Sequence, residues 1–222
     1  MERFWQILAQ KGPYFLATLL GGLETTLVVA AGAMVFALGF GLVIALMRLS
    51  PLRLLRWPAV AYIEFIRGTP ALVQLFVIYF GLPDVGLRPS PLQAAIVGLG
   101  INGAAYLAEI YRAGIGAIHR GQMEAALTLG MTPLGAMRYI VLPQAIRTML
   151  PPITNVAVTL LKDTALVSVV AAPEIMFFAR NLVTETLQSM HVYLMAAAIY
   201  LCMTIPLSRF VAALERARRA WH

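Results

Sequence analysis

Charged side chains are scarce in this chain. Only 12% of its 222 residues are Asp, Glu, Lys or Arg, while 60% are hydrophobic. A soluble domain contains about 25% charged residues, so the composition excludes nearly every soluble fold. Disordered chains are excluded too, because they are poor in apolar residues. What remains is a polytopic membrane protein. A helical span takes roughly 20 residues, and the length therefore leaves room for about five spans.

Cysteine and histidine are also rare. The single Cys202 lies in an apolar run, which excludes a disulfide framework and a Cys-x-x-Cys metal site. The three histidines, His119, His191 and His222, are scattered, and neither a His-Glu-x-x-His nor a Gly-x-Ser-x-Gly motif occurs. A Gly-x-x-x-x-Gly-Lys-Ser/Thr loop, which would cradle nucleotide phosphates, is absent as well. The sequence predicts a chain that is not an enzyme and that itself binds neither a metal nor a cofactor.

Acidic residues are outnumbered: 10 Asp and Glu stand against 17 Lys and Arg, a net charge of +7. In a soluble protein this excess would indicate nucleic-acid binding, whereas membrane proteins collect basic residues in their cytoplasmic loops. An outer N-terminus places four basic residues outside, namely Arg3, Lys11, Arg88 and Arg180. It places eleven inside, namely Arg48, Arg53, Arg56, Arg112, Arg120, Arg138, Arg147, Arg209, Arg216, Arg218 and Arg219. This bias predicts an outer N-terminus and a cytoplasmic C-terminus, with no nucleic-acid partner.

Long apolar runs mark five candidate spans, at 25–47, 68–83, 89–108, 148–173 and 186–208. The second run has only 16 residues, so it crosses only if 59–66 contributes or if it begins at the interface. The runs favour helices that are apolar all round, since a barrel would show short alternating segments. The predicted fold class is all-α, a polytopic membrane protein with five transmembrane helices. Three further segments are expected: an outer N-terminal segment over 1–17, an outer amphipathic helix over 174–189 and a basic cytoplasmic tail over 214–222.

The longest segment between two predicted spans covers 110–147 and lies on the cytoplasmic side. Residues 122–129 are good helix formers, and Gly130 follows where a left-handed C-terminal glycine belongs. Thr132 and Pro133 are a typical N-cap and first helical residue, and the second helix should stop before Pro143. These signals predict a helix–turn–helix.

The first helix of this hairpin is expected to expose small residues, Ala125, Ala126 and then Gly130, which would let another backbone approach closely. Glu124 beside them is a lone anion suited to a charge-assisted contact across an interface. The pattern also fits a hairpin that merely connects two spans at the membrane surface.

The amino-acid sequence of the hairpin resembles that of the EAA loop of ABC importer permeases. The similar positions are Glu124-Ala125-Ala126, Gly130 four residues later, and the Ile-Val-Leu-Pro run at 140–143. Further stretches are similar to the polar amino-acid class of these permeases, which includes histidine, glutamine, arginine and opine permeases. They lie at 64–74, 105–112, 142–145, 150–155 and 161–164. Two positions depart from the pattern, Ala165 where Ser is frequent and Ala113 where Gly is common.

The resemblance implies a type I importer permease fold, with a transmembrane domain over 18–213 and a coupling loop at about 116–143. Such a permease imports a polar amino acid across the bacterial inner membrane, together with a second permease subunit that is identical or similar. A dimer of ABC ATPase subunits would dock on Glu124, Ala125, Ala126 and Gly130 and would use ATP and Mg²⁺. A periplasmic or tethered binding protein would deliver the amino acid.

Polar residues interrupt the fourth predicted span. Asn155, Thr159 and Lys162 share one helix face at spacings of four and three, and Asp163 lies on the side of Thr159. Ionisable groups at membrane depth are functional candidates. We hypothesise that this polar stripe lines the substrate pathway, with Lys162 facing a carboxylate and Asp163 an α-ammonium group. A structural pair that holds spans or subunits together is the alternative.

Two pairs of opposite charge are spaced three residues apart, Glu64 with Arg67 and Glu109 with Arg112. The spacing predicts intrahelical ion pairs. Besides the importer, two other functions fit the composition: a secondary carrier or channel that works without an ATPase, and a membrane scaffold that transports nothing. The scaffold leaves the charged residues of the fourth span unexplained.

Overall fold

The computed structural model describes residues 2–219, without the side chains of Arg3, Leu214, Glu215 and 217–219. Of the predicted basic tail, 214–222, residues 214–219 continue the last helix, and 220–222 lie outside the described residues. The described part of the chain consists of helices and turns and contains no strand. Its ten α-helices are α1 (Glu2–Leu20), α2 (Leu23–Leu49), α3 (Arg53–Arg67), α4 (Ala71–Phe76), α5 (Pro91–Gly116), α6 (Arg120–Thr128), α7 (Pro133–Ala136), α8 (Leu142–Asp163), α9 (Ile175–Thr186) and α10 (Ser189–Arg219).

Four helical stretches are long and apolar enough to cross a membrane, and a bent helix pair makes a fifth if it is counted as one span. The four are Phe4–Leu49, Pro91–Gly116, Pro133–Val170 and Ser189–Ala213. This arrangement confirms the prediction of an all-α polytopic membrane protein. No break in the helix marks the expected boundary between 17 and 18, because α1 runs across it from Glu2 to Leu20.

The second predicted span is not a single straight helix. The bent pair consists of Arg53–Arg67 and Ala71–Val85, and their axes differ in direction by 106°. The second arm begins as α4 and continues through a π turn, Val77–Gly81, and a 3-10 turn, Leu82–Val85. The apolar run 68–83 thus corresponds only to the second arm of the bent pair, and α3 forms the first.

The centre of the fold is the close packing of α2 against α5. A Cβ atom on Gly41 would lie 2.9 Å from the carbonyl oxygen of Ala104, and one on Gly100 would lie 2.7 Å from the Phe36 ring. Small residues at such positions let two membrane helices approach until their backbones touch. Ala33 and Ala37 line the same face of α2 and are fully buried. The pair forms a core on which α3, α4 and α8 pack, whereas α10 packs on α8, α9 and α1.

The helix that begins at Pro133 does not stop before Pro143, contrary to the prediction. It passes through a π turn, Met137–Val141, and continues into α8 with Pro143 near the start of that helix. The Leu142 N–H donates to the carbonyl of Met137, five residues back. The wider π turn accommodates a proline that would otherwise break the helix. The Gln144 side-chain amide also donates to the carbonyl of Ile140 at 2.8 Å.

Only one of the two predicted charge pairs forms. Arg112 donates to Glu109 at 3.0 Å, and Arg48 at the end of α2 reaches the other oxygen of Glu109 at 2.8 Å. Glu64 and Arg67 form no ion pair, although both side chains lie in the described part of the chain. Arg67 instead lies over the ring of Tyr106, 5.4 Å from its centroid. The expected Glu64–Arg67 pair is wrong because an aromatic face on α5 offers the guanidinium a competing contact.

Glu109 should therefore contribute more to stability than Glu64. Replacing Glu109 by glutamine leaves two partly buried guanidinium groups without their anion, and we expect a loss of about 2 kcal/mol in the free energy of unfolding. Glu64→Gln is the matched control and should change little, since Glu64 is exposed. Thermal unfolding of both variants in detergent micelles measures the difference. Equal melting temperatures would show that the Arg48–Glu109–Arg112 cluster is not stabilising.

Candidate functional site

The hairpin of α6 and α7 is built as its turn chemistry predicts. Gly130 has a φ of 81°, the left-handed conformation expected after a helix. The Thr132 hydroxyl accepts a hydrogen bond from the Gly135 N–H at 3.1 Å, so Thr132 is the N-cap of α7. The start of α6 was not predicted: His119 is its N-cap, and Nδ1 of His119 accepts from the Gly121 N–H at 3.1 Å.

The surface of the hairpin differs in part from the expected one. Glu124 and Ala125 are exposed, but Ala126 is only 4% exposed and does not belong to the surface. Ala126 is buried because the hairpin folds back on it, and its carbonyl accepts from the Met131 N–H at 3.1 Å. Leu129 is 84% exposed, although it lies outside every candidate span. This exposed apolar side chain lies five residues after Glu124 and is available for contact with another surface.

The hairpin is joined to the helix that carries the polar stripe. The Gln144 amide, at the start of α8, donates to the side-chain oxygen of Gln122 on α6 at 3.3 Å. Since α8 is continuous from Leu142 to Asp163, a single helix connects the hairpin to the charged residues at its far end.

The polar stripe of α8 is not covered by the chain's own helices. Asn155, Thr159 and Lys162 are exposed and Asp163 is half-buried, although all four lie within a candidate span. Lys162 forms no ion pair with any residue whose side chain the structure describes. A lysine facing hydrocarbon is costly, so a second subunit or water lies against this face in the membrane.

A groove of about 380 Å³ opens beside Lys162, between the end of α8, α9 and α10. Its walls are formed by Lys162, Ala165, Met176, Tyr193, Ala197 and Tyr200. The groove thus presents one cation, the aromatic side chains of Tyr193 and Tyr200, and apolar side chains. The tyrosines were not predicted, since they lie in the last span at a spacing of seven without any charged neighbour. Asp163 does not line the groove.

A buried carboxylate holds the wall of this groove in place. Glu174 is fully buried, and its two oxygens accept from the Phe177 N–H at 2.7 Å and from the Tyr200 O–H at 2.8 Å. The hydroxyl of Thr164 lies 3.4 Å from that of Tyr200. A Cβ on Gly22 would lie 2.4 Å from the backbone of Glu174, so α2 begins directly against it. The sequence placed Glu174 at an exposed helix start, and no local signal reveals its burial.

The ionisation of Glu174 should make stability depend on pH. Burial raises the pKa of this carboxyl above its ordinary value of 4.5, which outweighs the hydrogen bonds that lower it. The folded state then holds the proton more tightly than the unfolded state. The protonated Glu174 therefore contributes its full stabilisation to the folded state at pH values below the ordinary pKa. The contribution is lost as pH rises through the raised value. Glu174→Gln should remove this dependence, whereas Glu185→Gln, an exposed glutamate on the same helix, should keep it. Melting temperatures between about pH 5 and about pH 8 test this, and parallel curves for both variants would contradict it.

No group of three His, Cys, Asp or Glu side chains within the described residues could hold a metal ion. The features that the described residues do offer are an exposed hairpin, a helix leading from it, and an uncovered polar stripe with a groove at its end.

Comparison with known proteins places this architecture among transport proteins. Residues 37–220 match the family described as "Binding-protein-dependent transport system inner membrane component". The "Probable glutamine ABC transporter permease protein GlnM" of Bacillus subtilis (strain 168) is 42% identical over 195 residues, which cover 88% of this chain and 90% of that protein. The "Arginine transport system permease protein ArtQ" of the same organism is 37% identical, covering 89% of this chain and 91% of that protein.

A solved structure has the same fold. The "Crystal structure of an amino acid ABC transporter with histidines" contains a chain that is 39% identical to this one. The match has a TM-score of 0.85 and covers 95% of this chain and 96% of that chain.

Proposed function

Since the chain belongs to the family of binding-protein-dependent transport system inner membrane components, we propose that it is the membrane subunit of an ATP-driven importer of a polar amino acid. The observation that carries the proposal is the hairpin of α6 and α7. It stands outside the candidate spans, exposes Leu129 and Glu124, and is linked through Gln122 and Gln144 to α8. The glutamine and arginine named in the relatives support the substrate class.

The ATPase is a separate dimer that docks on the cytoplasmic hairpin, with ATP and Mg²⁺ bound entirely by that partner. Leu129 enters an apolar pocket of the ATPase, Glu124 pairs with a cation beside it, and the small Ala125 and Gly130 allow close approach. When the ATPase dimer closes on ATP, it displaces α6. The Gln122–Gln144 contact passes this displacement to α8, and the spans change from an inward-open to an outward-open arrangement.

The substrate pathway follows the uncovered face of α8. A second permease subunit, identical or similar, covers the other side of that path, and a periplasmic or tethered binding protein delivers the amino acid from outside. Lys162 binds the carboxylate at the groove lined by Tyr193 and Tyr200, and Asp163 binds the α-ammonium group. The membrane is the bacterial inner membrane, and the positive-inside bias supports an outer N-terminus.

The experiment that tests this proposal is purification of the tagged chain from its native membrane in mild detergent, followed by reconstitution. We expect a P-loop ATPase to copurify and uptake of a radiolabelled polar amino acid into liposomes to require ATP and the binding protein. Uptake driven by an ion gradient without ATP would instead identify a secondary carrier. Absence of uptake from a complex that is intact would identify a scaffold, and either result would overturn the proposal.

A further inference from the structure

The break between α3 and α4 lies against the middle of α5. Both arms contact α5, and Tyr62 on α3 donates to the carbonyl of Ile101 on α5 at 2.6 Å. The next residue, Asn102, lies eleven residues after Pro91, where α5 begins. At 1.5 Å per residue this is about 16 Å along the helix, half the thickness of a hydrocarbon core of about 30 Å.

A helix that ends at this depth leaves carbonyl groups that water cannot satisfy. At the end of α3, the carbonyl of Glu64 accepts from the Gly68 N–H at 2.9 Å, and that of Phe65 accepts from the Thr69 hydroxyl at 2.9 Å. The carbonyl of Ile66 accepts from the side-chain amide of Gln74 at 2.8 Å. Three carbonyls of the last turn of α3 are therefore satisfied within the break.

Gln74 is the centre of this arrangement. Its amide nitrogen also lies 3.1 Å from the carbonyl oxygen of Thr69 and 2.8 Å from the Thr69 hydroxyl. Its side-chain oxygen accepts from the Asn102 amide at 3.1 Å. Gln74 is 8% exposed and Asn102 is 9% exposed, so neither group competes with bulk water. One side chain on α4 thus ties together the end of α3 and the middle of α5.

We propose that Gln74 is a positioning residue that fixes the 106° bend, so that the first arm, α3, and the second arm, α4, move as one rigid elbow during transport. The role of this elbow in transport rests on the proposed function. Loss of the amide would leave the carbonyls of Ile66 and Thr69 without this donor at membrane depth, and the chain would relieve the cost by varying the bend angle. If the angle of the elbow varies, less of the displacement caused by the ATPase reaches the spans, and the change from inward-open to outward-open is less efficient.

Electron paramagnetic resonance measures the bend in the chain directly. Spin labels at Leu54→Cys and Val85→Cys mark the far ends of the two arms at exposed positions, in a chain whose exposed Cys202 is replaced by serine. Gln74→Leu should broaden the distribution of distances between the labels in lipid nanodiscs. The same substitution at the exposed Gln6 is the matched control and should leave it narrow. An unchanged distribution in Gln74→Leu would overturn the proposal.

Transport by the reconstituted complex is the second readout. For Gln74→Leu we expect a turnover per assembled complex about tenfold lower, with a KM within about twofold of the original. Thr69→Val, which keeps the contact to Ile66, should have a smaller effect and provides the test if Gln74→Leu does not assemble. A raised KM at unchanged turnover would show that Gln74 contacts substrate and would overturn the elbow. If the unmodified complex itself lacks ATP-driven uptake, the proposed function fails, while the label distances still decide the bend.

Discussion

A complex that carries Gly130→Trp should lose ATP-driven uptake by about 100-fold or more, an effect worth roughly 3 kcal/mol of coupling. Gly130 ends α6 with a φ of 81°, and a Cβ added there would meet nothing within 4 Å in this chain. A Cβ at this position therefore meets no obstacle in the isolated subunit, and we expect the bulk of tryptophan to obstruct a partner that docks on the hairpin. The left-handed backbone adds a strain of about 1 kcal/mol for most residues with a side chain, asparagine and aspartate excepted.

Two control variants separate bulk from strain at Gly130. Asparagine adopts the left-handed conformation readily, so Gly130→Asn should keep most of the uptake. Gly130→Ala adds backbone strain but little bulk, and its uptake should lie between that of Gly130→Asn and that of Gly130→Trp. The measurements are the amount of ATPase that copurifies and the ratio of amino acid transported to ATP hydrolysed. Full coupled transport by Gly130→Trp would remove the hairpin from the docking surface and would leave it as a connection between spans.

Local rules located the hairpin well because its signals are local. Gly130 needs a positive φ, and the hydroxyl of Thr132 satisfies an N–H three residues away. The burial of Ala126 and the exposure of Leu129 depend on how the turn folds back, and the sequence analysis missed both. Ala125 and Ala126 are identical neighbours, so the sequence does not distinguish them, yet Ala125 is exposed and Ala126 is buried.

Contacts between distant segments account for the remaining failures. Glu174 is buried by Tyr200, 26 positions later, and by the start of α2 near Gly22. Gln74 was recognised only as part of a family stretch, and its role depends on Asn102 on another helix. Because lipid-embedded helices are apolar all round, no periodicity in the spans indicates which face meets which neighbour. Composition is sufficient to predict a membrane protein. The bend between α3 and α4 and the contacts of Gln74, in contrast, depend on residues that are distant in sequence.

Lys162→Met and Asp163→Asn should each reduce the kcat/KM of uptake by about 100-fold when normalised to assembled complex. Lys162 lines the groove and forms no ion pair among the described residues, so methionine removes the charge for a substrate carboxylate while keeping the length of the side chain. Asparagine at 163 keeps the shape and removes the negative charge for the ammonium group. In both variants we expect the loss mainly in KM for a substrate that carries both groups.

The chain provides matched controls for both substitutions, since its only other lysine is Lys11 and its only other aspartate is Asp84. Lys11→Met and Asp84→Asn alter exposed residues away from the groove and should transport normally. The structural alternative predicts a different pattern: fewer assembled complexes, each with an unchanged rate and affinity. Uptake by Lys162→Met and Asp163→Asn with the original affinity profile would therefore exclude the pathway, and it would assign the stripe on α8 to the contact between subunits. A loss confined to one variant would show which end of the amino acid α8 recognises, because each substitution removes a single charge of opposite sign.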